Sequence, residues 1–285
     1  MKYRLIAIDL DGTLFGPDHA VSPANVDAIA AAQAAGALVV PCTGRGWIES
    51  VGWLEAVPDL SLGVFNTGAA VVEMDTGRTI DLAEFEPHLV SELVEFMRGQ
   101  PEAVLVYQDR QRTGCDYLVT GDGRLTPNTR RWFELNDIAF KELRNPTLDE
   151  LHHWMRVVVV VACRRAFEIE QQVQQQFAGR VDLHCFAGVP TADKNDTVYI
   201  VEIFAADVNK WRGLRWIADR HGIDPSRVAA IGDEVNDVAM LREAGLGVAM
   251  GHAADAARNA ADRHTRSNAE DGVAYAIQQM MNGAW

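Results

Sequence analysis

Short apolar runs alternate with alanine-rich or amphipathic stretches from the first residues onward. Arg4–Ile8 is a β-rich run, and Ala37–Pro41, Ser61–Phe65 and Ala70–Met74 read as further strands. Between the first two lies Ser22–Ala35, which reads as a helix. Ser22 is a candidate N-cap, Pro23 suits the first helical position, and Gly36 stops the run. Strand, helix, strand in this order predicts a right-handed crossover and a parallel sheet. The last third returns to the same alternation. Thr197–Ile203, Val228–Ile231 and Gly247–Met250 read as strands, with helices over Asn209–Arg220, Val235–Glu243, Ala254–Ala261 and Gly272–Met281.

The middle of the chain has a different texture. Pro87–Arg98, Asn128–Leu135 and the glutamine-rich Ala166–Phe177 read as helices. Ala103–Gln108, Asp116–Thr120, Arg156–Cys163 and Val181–Phe186 read as strands. We expect an α/β core made of residues 1–81 and 190–285, interrupted by a separate α+β domain over 82–189. A chain of 285 residues with 48% hydrophobic content can fill such a core.

Charge and cysteine usage narrow the function classes. The net charge of −14 speaks against a nucleic-acid partner, although a local cation can still hold a small anion. Cys42, Cys115, Cys163 and Cys185 form no CxxC pair, which suggests thiols in a reducing compartment. Asp9 interrupts the first apolar run too early for a signal peptide. The longest such run, Val157–Ala162, is far short of the ~20 residues that cross a bilayer. The expectation is a cytoplasmic protein without a membrane partner, as a monomer or homodimer. Asn195-Asp196-Thr197 matches a glycosylation acceptor, by chance in that setting.

The chemistry collects at strand ends, where an open parallel sheet binds ligands. The first strand leads to Asp9 and Asp11, the second to Thr43, Gly44 and Arg45, the third to Asn66. Val228–Ile231 leads to Gly232, Asp233 and Glu234, with Asn236 and Asp237 one turn later, and Lys210 opens the helix after Thr197–Ile203. Singly, each is an ordinary turn or cap residue. Asp9 and Asp11, at i and i+2 of an extended segment, can face one ligand. Two carboxylates that close need a cation between them, and a hard cation such as magnesium takes oxygen ligands that Asp233 and Asp237 can complete. Gly12 permits a tight turn, Thr13 supplies a hydroxyl, and Lys210 offers a charge to phosphate oxygens. A carboxylate nucleophile, a second carboxylate, a metal, a lysine and hydroxyl donors together suit phosphoryl transfer through an aspartyl-phosphate.

These residues resemble the haloacid dehalogenase superfamily of phosphohydrolases. "DLDGT" at Asp9–Thr13, "TGR" at Thr43–Arg45, Lys210 and "GDEVND" at Gly232–Asp237 match its four motifs in order. "GVAM" at Gly247–Met250 and "EDGVA" at Glu270–Ala274 resemble its Cof-type subgroup, subfamily IIB. The resemblance implies a Rossmann-like doubly wound parallel-sheet core with an inserted α+β cap domain of type C2. It implies a magnesium-dependent phosphatase of a small phosphorylated metabolite, a sugar phosphate or similar. Asp9 would be the nucleophile and Asp11 the general acid/base. Asp9, Asp11 through its main-chain carbonyl, and Asp233 would bind Mg2+, with Asp237 in support. Thr43, Lys210 and Asn236 would hold the phosphoryl group, alongside Gly12, Gly44, Arg45 and Asn66. Three positions depart from the pattern: Trp211 where glycine is usual, Thr67 after Asn66 where Asn-Gly-Ala is usual, and His252 where asparagine is usual.

Two other readings compete: a phosphomutase of the same fold, and a non-catalytic module that binds a phosphometabolite. The joint presence of Asp9, Asp11, Lys210, Asp233 and Asp237 argues against the last, since a scaffold needs none of them. The insert is expected to act as a mobile cap carrying specificity. Its Asp109, Arg110, Arg112, His152, His153 and Arg156 read individually as surface charges.

Overall fold

The structure, a computed structural model, describes residues 1–187 and 198–285. In chain order the elements are β1 (Leu5–Ile8), α1 (Pro23–Ala34), β2 (Leu38–Pro41), β3 (Leu62–Phe65), β4 (Ala70–Glu73), β5 (Thr79–Leu82), α2 (Pro87–Met97), β6 (Val104–Gln108), α3 (Arg110–Thr113), β7 (Tyr117–Thr120), α4 (Pro127–Leu135) and β8 (Phe140–Glu142). There follow β9 (Trp154–Ala162), α5 (Cys163–Phe177), β10 (Val181–Ala187), β11 (Val198–Ala205), α6 (Lys210–Arg220), β12 (Val228–Gly232), α7 (Val238–Glu243), β13 (Leu246–Ala249), α8 (Asp255–Ala260), β14 (Arg263–His264) and α9 (Gly272–Met281). They fall into two compact units, Met1–Asp81 with Asn209–Trp285, and Leu82–Val208.

The first unit is built on a five-stranded sheet of order β14-β13-β12-β1-β2, parallel at every pairing. Within it β1 has a neighbour on each side and carries no polar residue: all four of its residues are buried, as expected of a parallel strand covered on both faces. Ser22 caps α1 by accepting the Asn25 N–H at 3.2 Å. α1 packs on α9 and α6 on α7. The chain leaves β1 for β2 on one side and returns through β12 on the other. The sheet therefore has its topological switch point at the carboxyl ends of β1 and β12.

β3 and β4 do not extend that sheet. They pair antiparallel, with Phe65 opposite Ala70, and β5 completes a separate three-stranded sheet. The link Asn66–Ala69 is too short for a helical crossover, so antiparallel pairing is the outcome left to it. A single parallel bridge, Cys42 to Val64, ties this sheet to the end of β2.

The second unit is a six-stranded sheet of order β10-β11-β9-β6-β7-β8, antiparallel except between β7 and β8. Leu93 and Met97 of α2 and Ile169 and Val173 of α5 bury against Val157, Val159, Val201 and Ile203 of the sheet. Here the structure corrects two expectations. The boundary expected at residue 190 lies outside the described residues, yet β11 beyond it pairs with both β9 and β10. The strand read as part of the core thus belongs to the insert, and the first unit resumes at Asn209. The cause is alternation: Val201 and Ile203 fill the second core, while Glu202 between them meets Arg156 at 2.6 Å. Arg156, read as a surface charge, is instead 3% exposed, with its second Nη donating to the Tyr117 hydroxyl at 2.8 Å. Among the described residues no helix is long and apolar enough to cross a membrane.

Candidate active site

The parallel pairing of β1 with β12 puts Ile8 opposite Ile231. Asp9, the next residue, anchors its N–H on the Ile231 carbonyl at 3.0 Å, so Asp9 and Asp233 leave the sheet side by side. After Asp9 the chain closes one wide turn over Leu10–Leu14, with the Leu14 N–H donating to the Asp9 carbonyl. Gly12 makes this turn possible. Its φ is +77°, and a Cβ there would lie 2.2 Å from Oδ2 of Asp233, so glycine lets the loop settle directly on that carboxylate. The Thr13 hydroxyl then donates to Asp233 Oδ1 at 2.8 Å.

Lys210 stands at the start of α6, where the helix dipole disfavours a cation. Its neighbours explain why it is there. The ammonium is fully buried and donates to Asp9 Oδ1 at 2.6 Å and Asp237 Oδ1 at 2.5 Å. The other Asp237 oxygen accepts the N–H groups of Asp233 and Glu234 at 2.8 and 2.9 Å, so Asp237 stitches the β12 loop to the lysine. Burial alone would strip the lysine of its proton, but Asp237 and Asp9 outweigh it and hold the group charged, above the ordinary lysine value.

The carboxylates are less well served. Asp9, Asp233 and Asp237 bring oxygens within 4.8 Å of one another, all three residues buried. Burial pushes Asp9 well above the usual carboxyl range; Asp237 adds to the rise, Lys210 opposes it, and Asp233 adds again. Burial likewise lifts Asp233 to about 6. Three carboxylates against one ammonium leave two negative charges uncompensated, in a cluster of hard oxygen donors. His252, 40% exposed, stands 3.7 Å from Asp233 Oδ2 at the rim.

Asp11 is not part of this cluster. Its carboxylate forms a two-pronged ion pair with Arg45, through Nη2 and through Nε at 2.6 Å. Asp9 and Asp11 do not lie on one unbroken extended segment, because the wide turn begins at Leu10 between them. Arg45, expected to meet phosphate, is engaged by Asp11. The two lie 34 positions apart with no local pattern linking them, so the sequence carried no signal of the pair.

The remaining expected residues lie together. Thr43 is buried, and its hydroxyl accepts the Arg45 N–H at 3.1 Å. Its carbonyl accepts from Thr67 N–H, and the Arg45 carbonyl from Asn66 N–H, at 3.1 and 2.9 Å. The turn at Asn66–Gly68 is thereby bound to the end of β2. Gly44 borders the Asn236 amide: a Cβ there would lie 3.3 Å from Asn236 Nδ2. Asp9, Thr43, Asn66, Lys210, Asp233 and Asp237 are all 5% exposed or less, an arrangement in which each charge acts at low effective dielectric.

Comparisons with known proteins agree with this geometry. A 5-amino-6-(5-phospho-D-ribitylamino)uracil phosphatase of Bacillus subtilis strain 168, YwtE, is 28% identical over 306 residues, covering 99% of each chain. A solved haloacid dehalogenase-like hydrolase from Bacteroides thetaiotaomicron superimposes with a TM-score of 0.76 at 24% identity, over 98% of this chain and 99% of that one. A sugar phosphatase of subclass IIB, BT4131, superimposes with a TM-score of 0.74 at 19% identity, over 98% and 99%. The family model for haloacid dehalogenase-like hydrolases matches residues 6–277, and the chain belongs to that family, among its phosphatases.

Proposed function

We propose that the protein hydrolyses a small phosphorylated metabolite in two displacements at phosphorus, with Asp9 as nucleophile and with Mg2+. The observation that carries this reading is Lys210, fully buried between Asp9 and Asp237 at 2.6 and 2.5 Å. A lysine held charged there meets an anion beside the one carboxylate that a bound phosphoryl group could also reach. Lys210 engages only Oδ1 of Asp9, which leaves Oδ2 to attack.

The acidic cluster fits a divalent cation, because its two uncompensated charges and oxygen-only donors match what a hard ion requires. Asp9, Asp233 and the main-chain carbonyl of Asp11 would hold magnesium; Asp237, with both oxygens already engaged, would support it from behind. The ion when bound supplies charge neutralisation on the phosphoryl oxygens. In the first displacement an Asp9 oxygen bonds to phosphorus and the ester P–O bond breaks, while Asp11 delivers a proton to the departing oxygen. In the second, Asp11 takes a proton from water, the water oxygen bonds to phosphorus, and the bond to Asp9 breaks to release phosphate. Thr43, Lys210 and Asn236 hold the phosphoryl oxygens throughout, and Arg45 orients Asp11. These core groups meet only the phosphoryl end of a substrate, so selectivity falls to the inserted unit. The activities named for the relatives, on a phosphoribityl compound and on a sugar phosphate, support a phosphorylated sugar or polyol as the substrate class.

Phosphate release measured across sugar phosphates, nucleotides and cofactor phosphates tests this reading. Turnover of one or a few phosphorylated sugars or polyols with magnesium, and its loss in excess chelator, is the expected result. Full activity in chelator would overturn the metal assignment.

The raised carboxyls predict how magnesium and pH interact. Asp233 titrates at about 6 in the native state against 3.8 ordinarily. Between those values the native state binds more protons than the unfolded chain, so this group's contribution to stability falls as pH rises through that window. A bound cation removes that loss. Added magnesium should therefore raise Tm more at about pH 7 than at about pH 5, read by differential scanning calorimetry. An equal or smaller rise at the higher pH would contradict the cluster's role.

A further inference from the structure

Thr67 is held at φ +54° and ψ +29°, in the left-handed region, which a β-branched side chain rarely adopts. Asn66 before it is at +49° and Gly68 after it at +97°. The Thr67 hydroxyl is also buried without a hydrogen-bond partner, in a residue 1% exposed. A glycine at this position would remove both penalties at once, so neither serves the turn itself. Strained backbone and orphaned buried donors persist where a ligand makes use of them.

The position of the turn indicates which ligand. On one side its N–H groups are bound to the carbonyls of Thr43 and Arg45. On the other, a Cβ on Gly68 would stand 1.9 Å from the Asn209 carbonyl oxygen, so Gly68 lets the turn press against the residue that caps α6 ahead of Lys210. Thr67 thus stands between the two elements that supply Thr43 and Lys210. Thr67 Oγ1 and Asn236 Nδ2 both border Gly44, 3.4 and 3.3 Å from where a Cβ would be. A hydroxyl and an amide N–H group beside one glycine can act as donors to an anionic oxygen.

We propose that the Thr67 hydroxyl donates a hydrogen bond to an oxygen of the bound phosphoryl group, as an additional binding residue beside Thr43 and Lys210. The inference rests on the phosphoryl-binding reading of this site. Calorimetric titration with inorganic phosphate, in magnesium-containing buffer, compares wild type with Thr67→Ser, Thr67→Val and Thr67→Gly. Loss of one hydrogen bond to a charged oxygen should weaken phosphate about tenfold in Thr67→Val and Thr67→Gly. Thr67→Ser, which keeps the hydroxyl, should stay within about threefold. Should Thr67→Val fail to fold, Thr67→Gly still decides, because glycine accepts the backbone conformation freely. Phosphate affinity within about twofold of wild type in the folded variants that lack the hydroxyl would overturn the assignment and leave the phosphatase reading standing. Absence of phosphate binding by wild type would overturn both.

Discussion

Asp9→Ala and Asp9→Asn are expected to lower phosphate release by at least about 10^4-fold, as removal of a covalent nucleophile does elsewhere, while the protein stays folded. No neighbour can replace it. Asp233 is covered by Gly12 and Thr13, Asp237 has both oxygens engaged, and Asp11 is turned toward Arg45. Stability should not fall, because Asp9 is itself destabilised by burial and by Asp237 and Asp233. Removing its charge lets Lys210 serve Asp237 alone. Steady-state kinetics with a thermal melt reads both quantities. Near-wild-type turnover by purified Asp9→Ala would remove the covalent mechanism.

Lys210→Met is expected to have the largest effect on stability. It leaves two buried carboxylates that had shared one ammonium, and taking one partner out of a buried ion pair costs about 3–5 kcal/mol. Activity should fall by about 10^2–10^3-fold as well, the usual loss for one electrostatic donor at a phosphoryl group or oxyanion. The two losses separate. Adding Asp237→Asn to Lys210→Met should recover part of the stability and none of the activity. Urea denaturation of the single and double variants measures the first, and kinetics the second. A Lys210→Met protein as stable as wild type would mean that the lysine does not neutralise the cluster.

Much of the core and its chemistry was legible because it is written in local patterns. Four apolar residues leading to Asp9 read as a covered parallel strand, and the strand-end position of Asp233 followed from the same alternation. What escaped depended on tertiary pairing. Nothing near Asp11 announces that its carboxylate will pair with Arg45, 34 positions away. β11 precedes the Lys210 helix and so read as core; only its pairing with β9 and β10 shows that it closes the insert. Arg156 looked like a surface charge because its partners, Glu202 and Tyr117, lie on other strands. The antiparallel turn of β3 onto β4 was hidden for another reason. Short buried strands carry the same apolar signature whichever way they pair.

The central claim is that phosphorus undergoes two successive displacements, first by a carboxylate and then by water. Each in-line displacement inverts the configuration at phosphorus. The direct test is the stereochemical course of hydrolysis or transfer, using a substrate ester made chiral at phosphorus with oxygen isotopes and one sulfur. Two displacements predict net retention. Net inversion would mean that water attacks the substrate directly, and would contradict a covalent role for Asp9.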